Sequence, residues 1–176
     1  MPKRLTLSRT TLFSTEMLVG PVGALLSLDL WHGTDDAAAA LAAGFALPAA
    51  GRAETLPTGS VLRVGPQRWW LLGAGFSGDA IAQALGDSGT VTTIAGGWVR
   101  VQLVGSTWRD LLMDCGLIDA ESPDFGPGTV AVTLLSHARC VVHVRDAMRC
   151  DLFVPASYAE HCLAQWRDLG WQQVAA

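Results

Sequence analysis

Short apolar runs and turn residues alternate along this chain at spacings that change from two to between three and four. Gly23 to Trp31 (GALLSLDLW) alternates well enough to predict a strand. Asp35 and Asp36 then open a short Ala-rich helix that Gly44 or Pro48 must end. The segment from Gly51 to Gly59 reads as a loop. Val61 to Val64, the Gly65-Pro66 turn and Arg68 to Leu72 predict a hairpin, and Ser77 to Leu85 a helix ended by Gly86.

The second part of the chain repeats the theme. Val91 to Ala95 and Trp98 to Val104 flank Gly96-Gly97, a two-residue hairpin signal. Ser106 is placed to cap a helix whose Trp108, Leu111, Leu112 and Cys115 share one face. A loop from Asp119 to Gly128 follows, then strands over Thr129 to Ser136, Cys140 to Arg145 and Asp151 to Val154. Ser157 and Glu160 have the spacing of a capping box for a last helix, with a stripe of Tyr158, Cys162, Trp166 and Leu169 and a stop at Gly170. Strand, short loop, Ser, helix and Gly thus occur twice, in WWLLGAGFSGDAIAQALG and DLFVPASYAEHCLAQWRDLG. The pattern predicts an α+β fold with antiparallel or mixed sheets. Residues 1–20 form a flexible N-terminus, and two related α+β halves, 21–88 and 89–176, make one compact unit. A single shared supersecondary unit would give the same likeness without duplication.

Composition narrows the partners. Half of the 176 residues are apolar and 16% are charged, a globular balance and not a disordered one. The formal charge of −4, with only 12 basic residues, excludes nucleic acid as a main partner. Mean hydropathy is positive. Even so, the least charged stretch, Ala37 to Gly51, is broken by Pro48 and falls short of the ~20 apolar residues of a membrane span. The start has basic residues without a following apolar run, so no secretory leader is expected and the cytoplasm is the default location. Cys115, Cys140, Cys150 and Cys162 form no CxxC pair and read as reduced thiols.

Several groupings carry possible chemistry. Gly73-Ala-Gly75-Phe-Ser-Gly78 matches G-x-G-x-x-G between a strand and a helix, as in a pyrophosphate-binding loop. The acid expected about 20 residues on is missing, and the preceding strand reads as the return arm of a hairpin, so a strand-to-helix turn is preferred. His137, Cys140, His143 and Cys150 have the residue types of a zinc site. Alternation along a strand sends Cys140 and His143 to opposite faces, which favours Cys140 as core and His137 as a turn residue. Cys115 falls at a helix C-terminus, where the dipole disfavours a thiolate. His161 and Cys162 point about 100° apart on one helix and cannot pair with each other. Asp119 and Glu121 lie in a polar loop and read as solvated. No residue is therefore assigned a catalytic, cofactor-binding or metal-binding role.

Four ordered segments resemble the gamma subunit family of heterotetrameric sarcosine oxidase. They are Leu62 to Gly73 (LRVGPQRWWLLG), Val101 to Asp119 (VQLVGSTWRDLLMDCGLID), Phe125 to Thr133 (FGPGTVAVT) and Asp151 to Ala159 (DLFVPASYA), and they span about two thirds of the chain. The resemblance implies a cut-down relative of the folate-dependent aminomethyltransferase fold. It also implies a non-catalytic subunit that works with alpha, beta and delta subunits. The family's complexes carry FAD, FMN, NAD, tetrahydrofolate and zinc in the other subunits, with no cofactor assigned to the gamma chain. The assembly oxidatively demethylates sarcosine, or a related N-methyl amine, to glycine, passes the one-carbon unit to tetrahydrofolate and reduces oxygen to peroxide. The alternatives are a stand-alone folate-binding protein of the same superfamily, or a small nucleotide-binding oxidoreductase using Gly73 to Gly78. Seven tryptophans against one tyrosine, with Trp69 and Trp70 adjacent on a strand, add an expectation of assembly. One of these two rings should pack inward and the other should face solvent or a partner.

Overall fold

Two β-sheets lie face to face, with helices on their outer surfaces. The computed structural model describes residues 15–31, 35, 39–40 and 43–174, the last three by backbone only. The strands are β1 (Glu16–Pro21), β2 (Leu25–Leu30), β3 (Ala53–Leu56), β4 (Gly59–Gly65), β5 (Arg68–Leu72), β6 (Gly89–Thr93), β7 (Trp98–Val104), β8 (Val130–Leu135), β9 (Ala138–Asp146), β10 (Arg149–Pro155) and β11 (Gln172–Val174). The helices described from end to end are α1 (Gly78–Leu85), α2 (Trp108–Cys115) and α3 (Ala156–Asp168). One sheet has five strands in the order β3-β4-β5-β2-β6, and the other has six in the order β11-β1-β7-β10-β9-β8. Every strand pair is antiparallel except β1 with β11. The α+β class with antiparallel and mixed sheets is the one expected.

Three apolar layers follow from strand alternation. Leu28, Val61, Trp69 and Leu71 meet Ile81 and Leu85 of α1 on the outside of the five-stranded sheet. Leu25, Leu62, Val64, Trp70 and Leu72 face Val130, Val141 and Phe153 across the gap between the sheets. Val101, Leu103, Cys140, Val142, Val144 and Leu152 meet Trp108, Leu111 and Leu112 of α2 and Cys162 and Trp166 of α3. The layers therefore run helix, sheet, sheet, helices. Such a fold has four covered sheet faces, which is why it hides so many large rings. Trp69, Trp70, Trp108, Trp166 and Trp171 are all buried, and Trp31 is exposed.

The structure corrects several local expectations. Val91 to Ala95 and Trp98 to Val104 do not form a hairpin: β6 pairs with β2, whereas β7 pairs with β1 and β10. Ala95–Gly97 is a 3₁₀ turn that carries the chain from one sheet to the other. It is anchored there because Ile94, Ala95 and Trp98 pack into the layer between the sheets. The expected loop at Gly51 to Gly59 contains edge strand β3. Residues 1–14 of the expected flexible terminus lie outside the described residues. Glu16–Pro21 is a strand in continuous register with β7, because Met17 faces the core and is fully buried. The sheet boundary consequently falls at Ile94 to Gly97, with β1 in the second sheet and β6 in the first. The Ala-rich helix lies partly outside the described residues, and Ala39, Ala40 and Ala43 are helical.

Helix starts also differ from expectation. Thr107, not Ser106, occupies the cap of α2. Its backbone N–H donates to the hydroxyl of Thr15, 3.1 Å away, so a distant residue does the work of a local cap. Ser157 and Glu160 form no capping box, because α3 begins directly after Pro155 at the end of β10. The buried face of α3 is Ala159, Cys162 and Trp166, while Tyr158 and Leu169 are half exposed. Among the described residues no helix is long and apolar enough to cross a membrane.

Candidate functional site

The two faces of the six-stranded sheet differ in chemistry. Val101 and Leu103, Cys140, Val142 and Val144, and Cys150, Leu152 and Val154 point to the helix layer. The alternate residues point between the sheets, and there polar groups collect. Gln102, Asp151 and His143 stand side by side on β7, β10 and β9. Asp151 is 1% exposed and accepts from Arg100 Nη2 at 2.7 Å and Gln102 Nε2 at 3.2 Å. Arg145 Nη1 donates to Ser60 Oγ of β4 at 3.1 Å, tying one sheet to the other.

His143 is the outlier of this row. It is 2% exposed, and its Nδ1 has no hydrogen-bond partner among the described residues, as is also true of Arg100 Nε. Burial above all, then the Arg145 charge, lowers the imidazole to about 4; Asp151 opposes this and Arg100 adds to it. At neutral pH the ring is uncharged. Both oxygens of Asp151 are engaged by its own neighbours, so the row ties strands together and offers no free base to a substrate.

A cleft of about 410 Å³ opens between the sheets, beside this row. Trp70 and Trp98 lie in it edge to face, with centroids 4.6 Å apart, and Phe153 packs against the far side of Trp70 at 5.7 Å. Val132 and Val141 continue the apolar wall. Ser27, Asp29, Arg68, Thr92 and Arg139 form its polar part. Arg68 is ion-paired with Asp29, whose other oxygen accepts from Ser27 Oγ at 2.7 Å.

The residues singled out from sequence fall as follows. Trp69 and Trp70 do point to opposite faces, but both are buried, at 0% and 4% exposure. The expectation that one faces solvent or a partner does not match the burial, because the second sheet covers Trp70 as the α1 layer covers Trp69. The Trp69 indole is also satisfied internally, donating to the Pro48 carbonyl at 3.1 Å. The Gly73 to Gly78 loop packs on its own chain: a Cβ on Gly75 would stand 2.6 Å from the Thr58 carbonyl oxygen. Strand β5 before it is antiparallel to both neighbours, unlike the first strand of a dinucleotide fold. Ser77 caps α1, its Oγ accepting from Ala80 N at 3.4 Å.

Ser136 and His137 both have positive φ, at 47° and 68°, and make the tight β8–β9 turn. Cys140 faces the helix layer and His143 the other sheet. All four cysteines are free thiols. Burial pushes Cys115 to about 11, with Asp114 adding to it, and Cys140 to about 12, with Cys162 adding to it. Cys150 and Cys162 are raised by the same cause, so none of the four is a ready thiolate at neutral pH. Cys162 is buried on α3 while His161 is exposed. Asp119 is spent on the backbone N–H groups of Glu121 and Ser122, at 3.2 and 3.1 Å. Among the described residues no three His, Cys, Asp or Glu side chains converge as metal ligands. The buried polar row escaped sequence reasoning, although polar residues at alternate positions of R-V-Q and H-V-R were a visible signal; Asp151 has the apolar Phe153 as its alternate neighbour.

Residues 32–172 match the family described as "Sarcosine oxidase, gamma subunit family". No curated protein matches the sequence. Among solved structures, the chain resembles one in the heterotetrameric sarcosine oxidase from Corynebacterium sp. U-96 in complex with pyrrole 2-carboxylate. The TM-score is 0.75 at 23% identity, covering 85% of this chain and 80% of that one. It also resembles the glycine cleavage system aminomethyltransferase T from Bartonella henselae, with a TM-score of 0.65 at 16% identity. That likeness covers 93% of this chain and only 48% of the aminomethyltransferase, so the chain spans about half of the larger protein.

Proposed function

This chain belongs to the sarcosine oxidase gamma subunit family, and from that premise we propose that it is a non-catalytic subunit of a heterotetrameric oxidase. The complex would oxidatively demethylate sarcosine or a related N-methyl amine to glycine and transfer the one-carbon unit to tetrahydrofolate. FAD, FMN, NAD, tetrahydrofolate and zinc would be carried by alpha, beta and delta subunits. The observation that carries the reading is the family match over residues 32–172, which takes in β3 to β10 and helices α1, α2 and α3. The site chemistry supports it. The buried carboxylate is saturated by its own neighbours, the buried imidazole is neutral, and the thiols are protonated.

The test is a pull-down of the tagged full chain from its native host. It should bring down two flavin-bearing subunits and a small zinc-binding one, with sarcosine-dependent peroxide formation in the eluate. The chain purified alone should be colourless and inactive. A stable monomer that captures no partner, or a stoichiometric flavin or zinc in the isolated chain, would overturn the proposal.

A further inference from the structure

The cleft between the sheets has a use that the subunit reading does not require. Its volume of about 410 Å³ lies within the roughly 300–1,000 Å³ of small-molecule sites, and its mix of apolar walls with a few polar groups is theirs too. The partly exposed Trp98 ring gives apolar surface, backed by the buried Trp70, and Val132 and Val141 close the sides.

The charges decide what kind of molecule fits. Among the described residues, three ionisable side chains line the cleft: Asp29, Arg68 and Arg139. Asp29 is fully used, with Arg68 on one oxygen and Ser27 Oγ on the other. A cationic ligand therefore meets no open carboxylate. Arg139 is exposed on β9 and makes no hydrogen bond or ion pair among the described residues, so its guanidinium is left over at the edge of an apolar surface. Its planar donor fork matches a carboxylate, and a charge-assisted bond beside low-dielectric walls is stronger than the same bond in open water.

We propose that this cleft binds a small, flat organic anion, its ring on Trp98 and the valine wall and its carboxylate on Arg139. The proposal is independent of whether the chain works within an oxidase. A second cleft, of about 460 Å³ and lined by Phe45, Leu56, Phe76 and Ile81 among others, has no charged side chain in its lining among the described residues. It would take apolar rings without regard to their charge, which makes charge preference the distinguishing readout.

Three isosteric probes give the test: naphthalene-2-carboxylate, its carboxamide and its carboxamidine, titrated calorimetrically into the full chain. The carboxylate should bind about tenfold more tightly than the amide, with the amidine weakest. Arg139→Gln should bring the carboxylate to within about twofold of the amide and leave amide affinity unchanged, and Arg139→Lys should keep part of the preference. Because Arg139 is exposed and unpaired, the melting curve of each variant should match the wild type. Equal affinity for the three probes, no carboxylate binding at millimolar concentration, or a preference that survives Arg139→Gln would each overturn the proposal.

Discussion

Acidifying this protein should cost it stability through His143. The imidazole falls from its ordinary 6.5 to about 4 in the folded chain, because it is buried and faces Arg145 and Arg100. In the unfolded chain it takes up a proton near its ordinary value. Between those two values the unfolded state holds more protons than the native state, so stability rises with pH across the window and is lost as pH falls through it. At about 1.4 kcal/mol per pKa unit, the displacement is worth roughly 3 kcal/mol once pH is below the native value. Urea unfolding followed by tryptophan emission, from about pH 8 down to about pH 4, measures the loss directly. His143→Leu supplies the comparison. It removes the titrating ring and its unpartnered Nδ1 while placing an apolar side chain beside Val130, its cross-strand neighbour. Carboxylates elsewhere titrate alike in both proteins and cancel. The variant should lack roughly 3 kcal/mol of the wild-type pH dependence in this window. Parallel curves for the two proteins would refute the reasoning, since they would mean that His143 takes up its proton equally in both states.

Asp151→Ala should destabilise the chain by about 3 kcal/mol or more in urea titrations, because it leaves Arg100 partly buried without its partner; a loss under ~1 kcal/mol would place the pair among ordinary surface bridges. Gly75→Ala should cost about 1–3 kcal/mol in thermal unfolding, the added Cβ being only 2.6 Å from a backbone oxygen. The cause is close approach and not handedness, since Gly75 is not among the positive-φ glycines. Cys140→Ser should cost about 1–3 kcal/mol, because its hydroxyl would sit in the fully buried helix layer. Cys115→Ser, half-buried beside Ser136, should cost less than about 1 kcal/mol. Equal losses for the two serine variants would contradict that burial difference.

The sequence alone determined much of the local structure. The β4–β5 hairpin, the span of α1 with its Ser77 cap and Gly86 stop, the α2 stripe and the β8–β9–β10 meander were all legible. Each is encoded by side-chain period and turn chemistry within a dozen residues. Family membership was legible for a similar reason, as ordered local segments of recognisable spacing. What only the tertiary structure decided is which surfaces face each other. Gly96-Gly97 carries a hairpin signal, yet the flanking strands enter different sheets, because Ile94 and Trp98 gain burial between the sheets that a hairpin would not provide. One of Trp69 and Trp70 reads as an outward ring until α1 covers the first and the second sheet covers the other. Asp151, His143 and Arg100 read as ordinary polar strand positions until their face becomes an interior. Periodicity shows that a strand has two faces, but what covers each face depends on residues far away in the chain. Only that covering sets the desolvation that lowers the His143 pKa and makes Asp151 depend on Arg100 and Gln102.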